Sequence, residues 1–119
     1  MEQLARLSID EECGLLRACL HGEVDMTNAA VVRAQLDELT SSRLVLDLSG
    51  LEFFDSSGIR MVLQLWRQRV AAGQFLQLLV TPDSPIRRVL TVAEVDRIMP
   101  IHLSWDEAAA HAGGASPAR

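Results

Sequence analysis

Asp55-Ser56-Ser57-Gly58 sets two adjacent hydroxyls behind a carboxylate, after an apolar run and before a helical pattern. Hydroxyls placed there invite phosphorylation. The backbone N–H groups and dipole of a helix N-terminus face an anion carried by Ser56 or Ser57, and one phosphate adds charge where only neutral groups stood. The same four residues also read as a turn and an N-cap, and the two roles are compatible. Nucleophilic catalysis by either serine needs a base, yet no motif ties His21, His102 or His111 to them. A glycine-rich phosphate loop with its lysine is also missing, since all 11 basic residues are arginines. The residues give neither a kinase nor any other enzyme and no catalytic residue is assigned; taken alone, the tetrapeptide reads first as a cap and turn and only second as a phosphorylation site.

A second candidate group lies upstream in Gly22-Glu23-Val24-Asp25-Met26-Thr27. Asp25 and Thr27 can each cap a helix, and Asp25 can equally serve as a functional acid at a partner contact. If Asp25 folds beside Asp55, a phosphate on Ser56 meets two carboxylates, and such an acidic mouth disfavours a tightly bound phosphate ligand. Arg60 follows Ser56 by one helical turn, where a guanidinium can pair with a phosphate or with a partner's carboxylate. Met61 and Leu65 fall off the main apolar face of that helix, which makes them candidates for an exposed contact patch.

Cys13 and Cys19 are too few for a disulfide framework, and no histidine cluster gives metal-ligand spacing; neither a metal nor a cofactor is expected. A formal net charge of −5 argues against direct binding to nucleic acid or to anionic lipid. No apolar run approaches the roughly 20 residues of a membrane span, and Met1 to Arg6 is too polar for a secretory signal. A cytoplasmic protein is the expectation.

The elements that must position these residues follow from periodicity. Leu7 to Glu12 and Gly14 to Leu20 form a hairpin of two strands at one edge of a sheet. A helix carrying Val32, Leu36 and Leu39 on one face runs to about Thr40 and Ser41. Leu44 to Leu48, apolar except for Asp47, reads as the central strand. Beyond the serines, Ile59, Val62, Leu63, Trp66 and Val70 recur at helical spacing until Gly73. Phe75 to Val80 is the next strand. Ser84 caps a helix from Pro85 to Val92, Ile98 to Leu103 is a last edge strand, and Ser104-Trp105-Asp106-Glu107 is a capping box. The pattern predicts a single α/β domain with a mixed sheet and helices packed mainly on one face, over residues 1–112, followed by a flexible tail over 113–119.

Gly22-Glu23-Val24-Asp25, the strand ending at Asp47-Leu48-Ser49, and Phe54-Asp55-Ser56-Ser57-Gly58-Ile59 together resemble the STAS domain in its bacterial anti-sigma factor antagonist form. Ser84-Pro85 with Arg88-Val89-Leu90, and Asp96-Arg97-Ile98-Met99-Pro100-Ile101, extend the resemblance over nearly the whole chain. It implies a partner-switching protein that binds an anti-sigma factor serine kinase and so releases a sigma factor for transcription. Phosphorylation at the position of Ser56 turns the binding off, and a PP2C-type phosphatase resets it. Asp25, Thr27, Asp55, Ser57, Gly58, Arg60 and Met61 would then line the partner contact, with a weak homodimer as an open option. Arg60 departs from the small residue often found there in the family. The alternative is a STAS module that docks, without switching, in a lipid-transport or sensory complex.

Overall fold

A computed structural model of the chain describes residues 5–12 and 14–112. Strands β1 (Ala5–Glu12) and β2 (Leu15–Val24) form the expected antiparallel hairpin. Helix α1 (Ala29–Asp37) leads to the long strand β3 (Arg43–Phe54), and helix α2 (Ser56–Ala71) leads to β4 (Phe75–Leu79). Helix α3 (Pro85–Val92), a 3-10 turn at Val95–Arg97, the short strand β5 (Ile101–His102) and helix α4 (Trp105–Ala112) complete the order. The sheet runs β1-β2-β3-β4-β5, with β2 to β5 mutually parallel. β3 is therefore central and β5 an edge strand, as the sequence predicts. The expected tail over 113–119 lies outside the described residues.

Helices α1, α2 and α3 cover one face. There Val32, Leu36, Met61, Val62, Leu65, Ile86 and Leu90 close over Ala18, Leu20, Leu44, Leu46, Leu48, Leu76 and Leu78. Each such side chain, fully removed from water, contributes on the order of 1.5–3 kcal/mol before entropy is charged against it. Helix α4 alone covers the opposite face, where Trp105, Ala108 and Ala109 pack on Leu15, Val45 and Leu79.

Strand β3 outruns its predicted end at Leu48 by six residues, and the pairing with β2 shows why. Cys19 lies opposite Asp47 but His21 lies opposite Gly50, and Gly22 lies opposite Leu51 but Glu23 lies opposite Phe53. β3 thus carries an extra residue twice, and its core-facing positions run Leu48, Leu51, Phe54 instead of alternating. Gly50 belongs to the first irregularity: a Cβ there would stand 2.5 Å from the His21 ring. β5 shrinks to two residues because the Val95–Arg97 turn consumes the chain before it.

Helix α2 ends as its glycine predicts. Gly73 sits at φ +76°, its N–H bonds the Val70 carbonyl at 3.0 Å, and the Gln74 N–H bonds the Arg69 carbonyl at 2.8 Å, a Schellman closure. Arg69 itself is buried, with its guanidinium donating to the carbonyls of Phe75 (3.0 Å), Leu39 (3.3 Å) and Ser41. Burial lowers its pKa from the usual arginine value.

Candidate functional site

The two sequence motifs meet at the carboxyl ends of neighbouring parallel strands, the place where open α/β sheets leave a crevice for loops. Val24 closes β2 opposite Phe54 at the end of β3, and the Asp55 N–H reaches the Val24 carbonyl at 3.4 Å. The loop that starts at Asp25 and the loop that starts at Asp55 therefore leave the sheet side by side.

Asp55 is the N-cap of α2, with extended backbone and a carboxylate that accepts from the N–H groups of Ser57 (2.9 Å) and Gly58 (3.4 Å). This division of labour is sharper than the sequence predicts. Two of the N–H groups expected to face an anion are already occupied by Asp55, and the Ile59 N–H is bonded to the Asp55 carbonyl at 3.1 Å. Ser56, first residue of the helix, is exposed, and its hydroxyl makes no hydrogen bond among the described residues. Ser57 is half-buried beside it.

Asp25 is engaged within its own loop. Its carboxylate accepts from the Thr27 N–H at 2.8 Å and the Thr27 hydroxyl at 2.5 Å, an Asx-turn, and those bonds hold it below the usual carboxylate range. Neither Asp25 nor Thr27 is the N-cap of α1; Asn28 is, although its side chain does not cap. The Asn28 amide instead ties the loop, accepting from the Asp25 N–H and donating to the Glu23 carbonyl, both at 2.9 Å. Sequence reasoning misses Asn28, whose only signal is its place in a turn.

The two residues expected to form an exposed patch, Met61 and Leu65, turn inward. Met61 is only 4% exposed and packs in the main core, as does Leu65, so neither forms an exposed patch. The apolar arc of α2 is wide because the helix packs on both the sheet and α1, which turns Met61 and Leu65 inward and leaves Ile59, Leu63 and Trp66 partly buried. Gly58 is also buried, against the Phe54 ring, where a Cβ would stand 2.5 Å from a ring carbon. It shapes the loop from beneath. Arg60 is exposed as expected. Unexpected apolar surface comes from Met26, 79% exposed in the first loop, and Phe53, 47% exposed at the end of β3.

A polar cluster on the α4 side of the sheet also escapes sequence reasoning. Asp47, 6% exposed, accepts from Arg17 at 2.7 Å and from the Ser49 N–H at 2.9 Å, while Arg17 lies 5.0 Å over the Trp105 ring. Burial pushes the Asp47 carboxyl up, but Arg17 and Ser49 together hold it below the usual range; Asp47 in turn raises Arg17. Burial and then Asp47 push the Cys19 thiol up, the opposite of an activated cysteine. The acid inside an otherwise apolar central strand is the available signal.

The histidines find partners away from Ser56: His21 stands 3.5 Å from Ser8, His102 3.2 Å from Glu107, and His111 3.0 Å from the Glu107 carbonyl. Among the described residues no group of three or more metal-ligating side chains occurs, and no helix is long and apolar enough to cross a membrane. A cavity of about 350 Å³ beside Leu39, Gln68 and Arg69 opens at the far end of α2 from the serines.

Comparison with known proteins agrees with this geometry. The family model described as "Mlab, STAS domain" matches residues 5–101. The anti-sigma F factor antagonist of Paenibacillus polymyxa is 31% identical over 102 residues, covering 82% of this chain and 86% of that protein. An anti-sigma factor antagonist from Mycobacterium paratuberculosis has the same fold, with a TM-score of 0.81 at 18% identity over 92% of this chain and 95% of its own. So does SpoIIAA of Bacillus, known in an unphosphorylated form (TM-score 0.70, 20% identity, 93% of this chain and 99% of that one) and a phosphorylated form (TM-score 0.64, 21% identity, 89% and 98%). With the family model spanning the sheet, the serine loop and the first three helices, the chain belongs to the STAS domain family of anti-sigma factor antagonists.

Proposed function

We propose that the unmodified chain binds an anti-sigma factor serine kinase and thereby releases a sigma factor, and that phosphorylation of Ser56 ends the binding until a PP2C-type phosphatase removes the phosphate. The observation that carries this reading is the Ser56 hydroxyl: exposed, free of hydrogen bonds among the described residues, and presented by a helix whose cap is supplied by a different residue, Asp55. The names of the relatives support an antagonist role, and the two forms of SpoIIAA support a phosphorylation switch.

Charge explains how such a switch would work. A phosphoserine brings about −1.5 to −2 charge and three acceptor oxygens. On Ser56 it follows Asp55 directly, at the sheet end from which the Asp25 loop also leaves and where Met26, in that loop, and Phe53, at the end of β3, expose apolar side chains. A partner that covers this surface must then desolvate the phosphate beside two carboxylates and exposed apolar groups, a cost that the neutral serine does not impose. The contact is a binding surface, without a catalytic constellation assigned to it.

The test is isolation of the protein with its partners from its native cells under phosphatase inhibition, with fragment mass spectrometry of the serine loop. A serine kinase that copurifies with unmodified protein but not with protein phosphorylated at Ser56 is the expected outcome. Ser56→Ala should abolish phosphorylation and keep both fold and binding, while Ser56→Asp should weaken binding by at least about tenfold, about 1.4 kcal/mol. Unmodified protein held constitutively by transport or sensory subunits would replace this reading with that of a docking module.

A further inference from the structure

Helix α2 contains no acidic residue: its sequence from Ser56 to Ala71 offers Arg60, Arg67 and Arg69 but neither aspartate nor glutamate. Arg60 is exposed and forms no ion pair or side-chain hydrogen bond among the described residues, whereas Arg69 is buried on three carbonyls. Residues four apart on a helix are surface neighbours, about 5–6 Å between Cβ atoms, and helical side chains lean toward the N-terminus. At that spacing the Arg60 guanidinium can reach back to the turn that carries Ser56. Asp55, the carboxylate that caps this helix, is five residues before Arg60 and accepts from the N–H groups of Ser57 and Gly58.

We propose that Arg60 is the built-in counter-charge of a phosphate on Ser56, holding it back along α2 by an i,i+4 charge-assisted hydrogen bond. The inference rests on the reading of Ser56 as a phosphorylated residue and adds what the modified state does. The backbone cannot take this role alone, because Asp55 already occupies the N–H groups of Ser57 and Gly58, and the Asp55 carbonyl takes that of Ile59. Only the Ser56 N–H of the first turn is left to the phosphate. The charged groups on the two loops and the strand ends that meet here are Glu23, Asp25, Glu52 and Asp55, all carboxylates, while the cations of the helices packed nearby are Arg33 of α1, bonded to Asp37 and Gln68, and Arg87 and Arg88 of α3, beyond Asp83. Arg60 is thus the cation within one helical turn that offsets them, and its planar fork matches a phosphate's oxygens.

The test installs phosphoserine at position 56 of the full chain during translation, so that no kinase is needed, and follows its second ionisation by phosphorus NMR. Arg60→Gln, which keeps length and helix propensity, should raise the titration midpoint by about 0.3 pH, a roughly twofold change in proton affinity. The difference should shrink in 0.5 M salt, a concentration that cuts the screening length to about 4 Å, and Arg60→Lys should restore part of it. Equal midpoints in the native and Arg60→Gln proteins overturn the proposal. Retention of the anti-sigma factor by both the phosphorylated and unmodified native proteins would instead overturn the switch and leave the Arg60 result standing.

Discussion

Gly58→Ala tests how the serine loop is held. An exposed glycine near a helix start gains on substitution by alanine, up to about 1 kcal/mol from restricted unfolded-chain freedom and better helix propensity. At Gly58 the added Cβ would lie 2.5, 2.8 and 3.0 Å from three carbons of the Phe54 ring, all closer than carbon atoms normally approach. Phe54 is 3% exposed and packed in the main core, so its ring has little room to swing away. Overpacking of this kind costs about 1–3 kcal/mol, and after the propensity gain a net loss of about 1–2 kcal/mol remains.

The assay is urea unfolding followed by tryptophan fluorescence, in a four-member cycle of the native protein, Gly58→Ala, Phe54→Leu and the double variant. Phe54→Leu costs stability by itself but opens the space the methyl needs. Alanine at 58 should then be neutral or favourable in the Phe54→Leu background, giving a coupling of about 1–2 kcal/mol. Because Ser56 and Ser57 ride on the same turn, Gly58→Ala should also weaken partner binding while Ser56 stays unmodified. A Gly58→Ala protein as stable as the native one, or a cycle with no coupling, refutes the argument that Phe54 demands glycine there.

Two further outcomes follow from other sites. Asp47→Asn keeps an acceptor for Ser49 but strips Arg17 of its carboxylate; since Arg17 keeps 34% side-chain exposure, the loss should be about 1–2 kcal/mol at pH 7, below the cost for a fully buried pair. Asp47 has a folded pKa below its unfolded one, so its contribution is present above the unfolded value of about 3.9 and fades as pH falls through the folded value. Denaturant unfolding should accordingly show a native-to-variant gap at pH 7 that narrows below about pH 4, and a gap independent of pH would count against the ion pair. Glu94 occupies the left-handed region at φ 60°, ψ 29°, so Glu94→Gly should raise stability by about 0.5–1 kcal/mol in a thermal melt, and a lowered melting temperature would show that its side chain matters more than its backbone.

What the sequence reveals and what it hides divide along physical lines. Helix α3 is legible to the residue, because Ser84 accepts from the Ile86 N–H and Pro85 occupies the first helical position, both local effects. The capping box of α4 is half right: Ser104 accepts from the Glu107 N–H, but the Glu107 carboxylate goes to His102, a partner brought by the fold. The end of β3 is hidden because its two extra residues break the alternation on which strand reading depends. Met61 and Arg69 are hidden because helical periodicity locates an apolar stripe without its width, and a polar residue is buried whenever carbonyls from other elements converge on it.

The same distinction explains why Asp55-Ser56-Ser57-Gly58 supports two readings without contradiction. Had Ser56 been the N-cap, its hydroxyl would be committed to a backbone N–H, and adding or removing a phosphate would rebuild the helix cap along with the surface charge. Asp55 takes the cap, Gly58 gives Phe54 room, and Ser56 is left with no structural duty among the described residues. A modification at such a position changes surface charge at little cost to the fold, which is the condition for a switch that must be thrown in both directions. The tetrapeptide is therefore a cap and a candidate switch at once because the two tasks fall on different residues, and only their hydrogen bonds separate them.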